Sequence, residues 1–238
     1  MNSQRSGAEL QDKDFELLSL SESKSVRVRI GQLIIAGWTG RNKSAMEEHM
    51  QELEKIGISR PASAPIFYHL SPGLVTQDDQ ITVVGEDTSG EVEFFILTLE
   101  DGLWLGVASD HTDRKTEAYN VTISKQACAK PISKSLWRYE DVVDHWGELV
   151  MRSYSYKNGQ RNLYQEGPVT TMLTVEELLD RLSMESGTLG VNSIMFCGTL
   201  SVHGGIRAMD AFEIELEDPV LNRVIQHKYA VKSLLNVG

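Results

Sequence analysis

Two apolar stretches of strand length, residues 92–99 and 103–108, are joined by the dipeptide Asp101-Gly102. Nothing else in the chain constrains its folding as much. Asp-Gly readily supplies the positive-φ residues of a tight antiparallel turn, and Val, Ile, Leu, Phe and Trp suit a pleated surface. Residues 92–108 therefore read as a β-hairpin.

The same period-2 reading extends outward. Val26, Val28 and Ile30 alternate with Arg27 and Arg29, as in a strand with one buried face. Residues 33–38 read as a more deeply buried strand, and residues 66–68 and 80–84 as short ones. Residues 148–156 read as a strand that Asn158-Gly159 turns into the next. From Ser193 onward strands return, with Phe212, Ile214 and Leu216 alternating with Glu213, Glu215 and Glu217. Helical spacing is confined to residues 42–56, which end at Gly57, a short segment at 137–146, and a helix through Leu182 opened by a capping box of Thr174 and Glu177. The expected class is α+β, β-rich, with a few short helices and no internal repeat. Residues 1–14 are expected to form a flexible terminus and 15–238 a single domain.

Bulk properties exclude several functions. Apolar runs fall short of the roughly 20 residues a spanning helix needs. The polar start, residues 1–12, lacks the apolar core of a secretory signal, so a cytoplasmic protein is expected. A net charge of −11 without a basic stripe argues against nucleic acid as a partner. Cys128 and Cys197 have neither metal-finger spacing nor disulfide density and read as free thiols. His145, His203 and His227 have no partner at ligand spacing, and His111 reads as a packing residue more than as a substrate contact.

The chemistry concentrates in Ser89-Gly90-Glu91-Val92-Glu93-Phe94-Phe95 and Ser109-Asp110-His111-Thr112-Asp113-Arg114. Glu91 and Glu93 share a strand face, and the hairpin returns Asp110 beside them. Three converging carboxylates repel one another unless neutralised, and a hard divalent cation such as Mg²⁺ or Mn²⁺ does this with oxygen ligands. The simpler reading makes Glu91 and Glu93 the solvated face of an amphipathic strand with Val92 and Phe94 on the other, since an E-x-E pair alone is a weak signal. The residues by themselves leave both open.

Several pieces in order resemble the fumarylacetoacetate hydrolase superfamily, specifically a bacterial branch of it. Residues 65–72, 81–84 and Gly90-Glu91-Val92-Glu93 look like that family's substrate loop leading to its E-x-E metal strand. Asp110-His111-Thr112-Asp113-Arg114 is similar to its Asp-x-(Ser/Thr)-x-Arg motif, and Ser124-Lys125-Gln126 falls where it places an active-site lysine. Asn158-Gly159 to Gln165, residues 171–178 and Phe196-Cys197-Gly198-Thr199-Leu200-Ser201 match further family features, so the likeness runs from about Ala36 to the C-terminus.

The resemblance implies a mixed β-sheet roll like the family's C-terminal domain and a homodimer. It implies Mg²⁺ or Mn²⁺ on Glu91, Glu93 and Asp110, with Lys125 catalytic. Arg114, Gln126, Thr199 and His69 would bind substrate, and His49 with Glu52, three residues apart on a helix face, would form a general-base pair. The implied activity is hydrolysis of a C–C bond in a small acylpyruvate-type 2-oxo acid through a metal-bound enolate. Decarboxylation, hydration and isomerisation on the same site are alternatives, as is a small-molecule binding protein that lost the base. A non-catalytic β-rich interaction protein remains the third class. The chain departs from the family pattern at Trp38 to Arg41, where the approach to His49 is longer. It departs again at His69 and Ser71, where many members carry a lysine, and at Gly198-Thr199-Leu200, a reduced form of a proline-bearing element.

Overall fold

Strand pairing organises the chain. The computed structural model describes residues 12–44, 46–47, 50–51 and 63–237. Among these, an eight-stranded sheet runs in the order β2 (Ser23–Arg29), β1 (Asp12–Leu18), β12 (Ser135–Arg138), β9 (Gly102–Ser109), β8 (Val92–Leu99), β15 (Ser193–Thr199), β3 (Gln32–Gly37) and β4 (Ile66–Leu70). A five-stranded sheet has the order β14 (Gln160–Pro168), β13 (Val150–Lys157), β16 (Ala211–Asp218), β17 (Arg223–Leu234) and β6 (Gln80–Val84). Two short ladders pair β10 (Thr112–Asp113) with β7 (Thr88–Ser89), and β11 (Lys130–Pro131) with β5 (Val75–Thr76). The helices α1 (Arg114–Glu117), α2 (Val121–Gln126) and α3 (Val175–Glu185) complete a β-rich α+β fold.

The hairpin sits at the centre. β8 and β9 pair from Val92↔Ser109 to Leu99↔Gly102, so the turn falls on Glu100 and Asp101, one residue before the expected pair, and Gly102, at φ +125°, opens the return strand. Phe94, Ile96 and Val107 pack from one face against Ile214 and Leu216 of the smaller sheet and Leu178 and Leu182 of α3. Phe95 and Leu97, on the other face, join Phe15, Leu17, Tyr68, Leu70 and Phe196 in a second core. Burial on both faces explains why β8 reads as a nearly continuous apolar run rather than a strict alternation.

The structure shifts some expected boundaries. β1 begins at Asp12, not near Phe15: Asp12 and Asp14 lie opposite Arg29 and Arg27 and pair with them at 2.8 and 2.7 Å. The helix expected at 137–146 is instead the end of β12 followed by two 3₁₀ segments, Tyr139–Asp141 and Val143–Glu148. Trp137, 1% exposed and paired with Leu105, belongs to the sheet. The capping box holds: Thr174 Oγ1 accepts from Glu177 N at 3.2 Å, and Glu177 Oε2 accepts from Thr174 N at 2.8 Å. Residues 43, 44, 46, 47, 50 and 51 are helical. His49 and Glu52 lie outside the described residues.

Candidate metal centre

Just beyond the paired part of the β8–β9 hairpin, the amide of Asp110 donates to the carbonyl of Glu91 at 2.9 Å, extending the ladder by one step. That step sets Asp110 opposite Glu91, with Glu93 two residues along the same face. One carboxylate oxygen from each of Glu91, Glu93 and Asp110 lies within 4.8 Å of the others. Glu93 is 3% exposed and Asp110 fully buried. The alternative in which the two glutamates form a solvated face does not hold.

Three cations are built into the same cluster. Lys125 Nζ, from α2, donates to Asp110 Oδ2. Lys130 Nζ, from β11, lies 3.1 Å from Asp110 Oδ1 and donates to the His111 carbonyl at 2.6 Å. Arg114 Nη2 lies 3.0 Å from Glu91 Oε1, while its Nη1 donates to Glu117 at 2.8 Å and its Nε to Ser89 Oγ at 2.7 Å. Burial alone would raise the Asp110 carboxyl, but the Lys125 and Lys130 ammoniums hold it well below the usual carboxylate range. Burial likewise works against the Lys125 ammonium and is outweighed by Asp110, Glu91 and Glu93, so this lysine stays protonated.

Glu93 is the exception. Burial first, then the negative charge of Asp110, push its carboxyl well above its ordinary value, and the Lys125 ammonium and the amide of Gly198, donating to Oε2 at 2.7 Å, offset only part of this. A buried carboxylate facing two others, with no ion pair among the described residues, is a donor set that a hard dication would stabilise. Mg²⁺–oxygen distances of about 2.0–2.1 Å correspond to separations of roughly 3–4 Å between ligand oxygens. The three carboxylates need to close only slightly to meet that geometry.

The surroundings fix the glutamates. Gln165 is fully buried. Its Oε1 accepts from Val92 N and Ser153 Oγ, each at 2.9 Å, and its Nε2 donates to Thr199 Oγ1 at 2.9 Å and the Leu200 carbonyl at 2.6 Å. Thr199 Oγ1 in turn donates to the Val92 carbonyl at 2.8 Å, tying β15 to the residue between the two glutamates. Gly198 adopts φ +110°, and a Cβ there would fall 1.8 Å from Thr39 Oγ1. Only glycine lets the backbone present its N–H to Glu93 at this point.

The family model DUF2848, described as a protein of unknown function, matches residues 36–229. The chain belongs to the DUF2848 family. No curated protein matches its sequence. Similar solved structures include Cg1458 with inhibitor, 14% identical over 90% of this chain and 82% of that one, with a TM-score of 0.66. A 2-keto-3-deoxy-D-arabinonate dehydratase complexed with magnesium and 2,5-dioxopentanoate is 13% identical over 89% and 77%, with a TM-score of 0.64. Yeast ynq8, a fumarylacetoacetate hydrolase family protein, is 17% identical over 86% and 94%, with a TM-score of 0.62. This DUF2848 chain therefore has the fumarylacetoacetate hydrolase fold, the roll expected from the sequence.

Not every residue expected in the site of this DUF2848 protein reaches the carboxylates. Thr199 pairs with Glu93 in the β15–β8 register. Gln126 Oε1 accepts from Ser71 N at 3.0 Å and so anchors the end of β4. His69 is exposed and meets Ser186 Oγ at 3.2 Å, beyond the end of α3. Alternation along β4 puts its neighbour Tyr68 on the opposite face, with its ring 5.6 Å from Lys125 Nζ. His111 is fully buried, with Nδ1 3.1 Å from Tyr229 Oη and Nε2 3.0 Å from Thr88 Oγ1, a packed and hydrogen-bonded imidazole. Sequence reasoning gave no role to Lys130 or Tyr68. For Lys130 a signal existed, since it is a lone charge in the otherwise uncharged stretch 126–133.

Proposed function

We propose that this DUF2848 protein is a divalent-metal-dependent enzyme acting on a small 2-oxo acid, by acylpyruvate-type C–C hydrolysis or by a lyase reaction at the same site. The observation that carries this reading is the buried convergence of Glu91, Glu93 and Asp110 beside Lys125 and Arg114. The fold neighbour solved with magnesium and 2,5-dioxopentanoate supports it.

Glu91, Glu93 and Asp110 would hold Mg²⁺ or Mn²⁺, which when bound supplies Lewis acidity and a template for the carboxylate and keto oxygens of the substrate. Lys125 stays protonated beside Asp110, so it serves as a donor and positive charge for an oxygen gaining electrons and not as a base. Arg114, fixed by Ser89 and Glu117, lies 3.0 Å from Glu91 and orients its carboxylate. Tyr68 and the second core close the lysine side against water. In the hydrolytic version, His49 oriented by Glu52 takes a proton from water, whose oxygen adds to the distal carbonyl. The C–C bond then breaks to give a carboxylic acid and the enolate of the 2-oxo acid, which takes back the proton held by His49. The reading also makes the protein a cytoplasmic homodimer, for which sedimentation at micromolar concentration is the check.

The deciding experiment assays EDTA-treated protein against a panel of acylpyruvates and simple 2-oxo acids, with and without Mg²⁺ or Mn²⁺. Turnover that requires the metal and disappears in Glu93→Gln and His49→Ala is the expected result. Mg²⁺ and oxalate binding with no turnover across the panel would make it a binding protein. Failure to bind Mg²⁺ at all would end the proposal.

A further inference from the structure

Asp110 is held differently from the two glutamates. Each of its oxygens already faces an ammonium: Lys125 Nζ on Oδ2, and Lys130 Nζ 3.1 Å from Oδ1. Lys130 has no exposed surface, and its second bond, to the His111 carbonyl at 2.6 Å, leaves it no route to water. A surface lysine can swing aside when a cation arrives, whereas this one cannot.

Formal charges sharpen the point. With all three carboxylates ionised, as a metal would hold them, Glu91, Glu93 and Asp110 are equal in number to Arg114, Lys125 and Lys130, so the cluster sums to zero before any metal is added. Counting Glu117, which meets Arg114 at 2.8 Å from its more exposed side, changes the sum by one negative charge. A dication therefore leaves a surplus of one or two positive charges in a buried site, where uncompensated charge is costly. A ligand carrying two negative charges removes that surplus.

We infer that the site takes a divalent cation and a dianionic chelating ligand synergistically, and that Lys130 is the positioning residue that imposes the coupling by competing for Asp110. The inference rests on the metal-dependent reading above and deepens it, because it selects ligands that are dianions in their bound form over neutral or singly charged ones. Lys130 acts through Asp110 and is assigned no contact with the reacting atoms.

Calorimetry on the full chain tests this with Mg²⁺ and oxalate as probes, after correction for Mg²⁺–oxalate association in solution. Saturating oxalate is expected to tighten Mg²⁺ binding at least about tenfold, and linkage requires Mg²⁺ to tighten oxalate binding by the same factor. Lys130→Met keeps an unbranched side chain, one atom shorter, and removes the charge. It is expected to bind Mg²⁺ alone more tightly than wild type and to bring the coupling factor down toward one. Equal Mg²⁺ affinity with and without oxalate in the wild type overturns the inference while leaving the metal site standing, and it does so even if Lys130→Met fails to fold. Undiminished coupling in a folded Lys130→Met protein also overturns it. Absence of Mg²⁺ binding under both conditions removes the metal reading itself.

Discussion

Gly198→Ala tests the link between the fold and the carboxylate cluster at a single atom. The residue holds φ +110°, a conformation costing an alanine about 1–3 kcal/mol. The new Cβ would also stand 1.8 Å from Thr39 Oγ1, 3.1 Å from Thr39 Cβ and 3.0 Å from Met172 Cγ. Thr39 is 3% exposed, and its carbonyl accepts from Leu173 N at 2.8 Å, so it cannot step back cheaply. Overpacking of this kind adds about 1–3 kcal/mol, bringing the total to roughly 2–6 kcal/mol. Gly187 supplies the control: its φ is +101° and a Cβ there would meet nothing within 4 Å. Gly187→Ala carries the backbone strain alone, and the gain from restricting the unfolded chain is common to both variants and cancels. Urea denaturation of wild type and both variants gives the difference directly. Gly198→Ala should be the less stable of the two by at least about 1 kcal/mol, and Thr39→Ala should restore part of the loss. A Gly198→Ala protein no less stable than Gly187→Ala would refute the claim that β15 is held against Thr39 in order to present the Gly198 amide to Glu93.

Three further outcomes follow from the same geometry. Glu93→Gln keeps an acceptor for the Gly198 amide and removes a charge that burial and Asp110 disfavour, so the metal-free variant should gain about 1–3 kcal/mol of stability. The gain should grow as pH rises, because the folded state of the wild type is the one that resists ionisation, and thermal melts with and without Mg²⁺ should show the metal-induced shift abolished. A variant that keeps the full Mg²⁺ shift would remove Glu93 from the ligand set. Gln165→Leu removes the partner of the Val92 amide, the Ser153 hydroxyl and the Leu200 carbonyl, and should destabilise by about 3–5 kcal/mol in urea titrations; a loss under about 1 kcal/mol would show that these bonds do not hold the strand. Burial first, then Lys130 and Arg114, lower His111 to about 3 from an ordinary value near 6.5. The folded state therefore refuses a proton that the unfolded chain accepts. This imidazole costs nothing above pH ~6.5 and removes up to about 1.4 kcal/mol of stability per unit as pH falls below that. His111→Gln in EDTA should flatten the fall between pH 6.5 and 5, and identical pH profiles for variant and wild type would contradict the assignment.

What the sequence revealed of this site is what is local in the chain. Glu91, Glu93 and Asp110 meet because one tight hairpin sets their register; the hairpin and its strand period are readable from neighbouring residues, whereas the turn itself falls on Glu100-Asp101, one residue before the Asp-Gly pair. Burial of Glu93 was not readable in the same way. Its face continues as Phe95 and Leu97 into the second core, but that core is assembled from β1, β4 and β15, whose order in the sheet no local pattern specifies. His69 illustrates the limit. Which of Tyr68 and His69 faces the lysine depends on β4 lying outside β3, so the neighbour of the expected residue occupies the place. The 137–146 segment failed for a related reason: Trp137 is claimed by its pairing with Leu105, a tertiary contact that overrides local preference. Lys130 is the furthest from view, since β11 is placed by tertiary contacts, its parallel pairing with β5, some 55 residues away in sequence, and the Ala108↔Ile132 bridge to the hairpin. The anionic half of the centre is thus encoded by one hairpin, and Lys130 is placed by topology. A substitution that slips the β8–β9 register should scatter the ligands at once, whereas one that weakens the β11–β5 ladder should leave the carboxylates together and change only the charge they face.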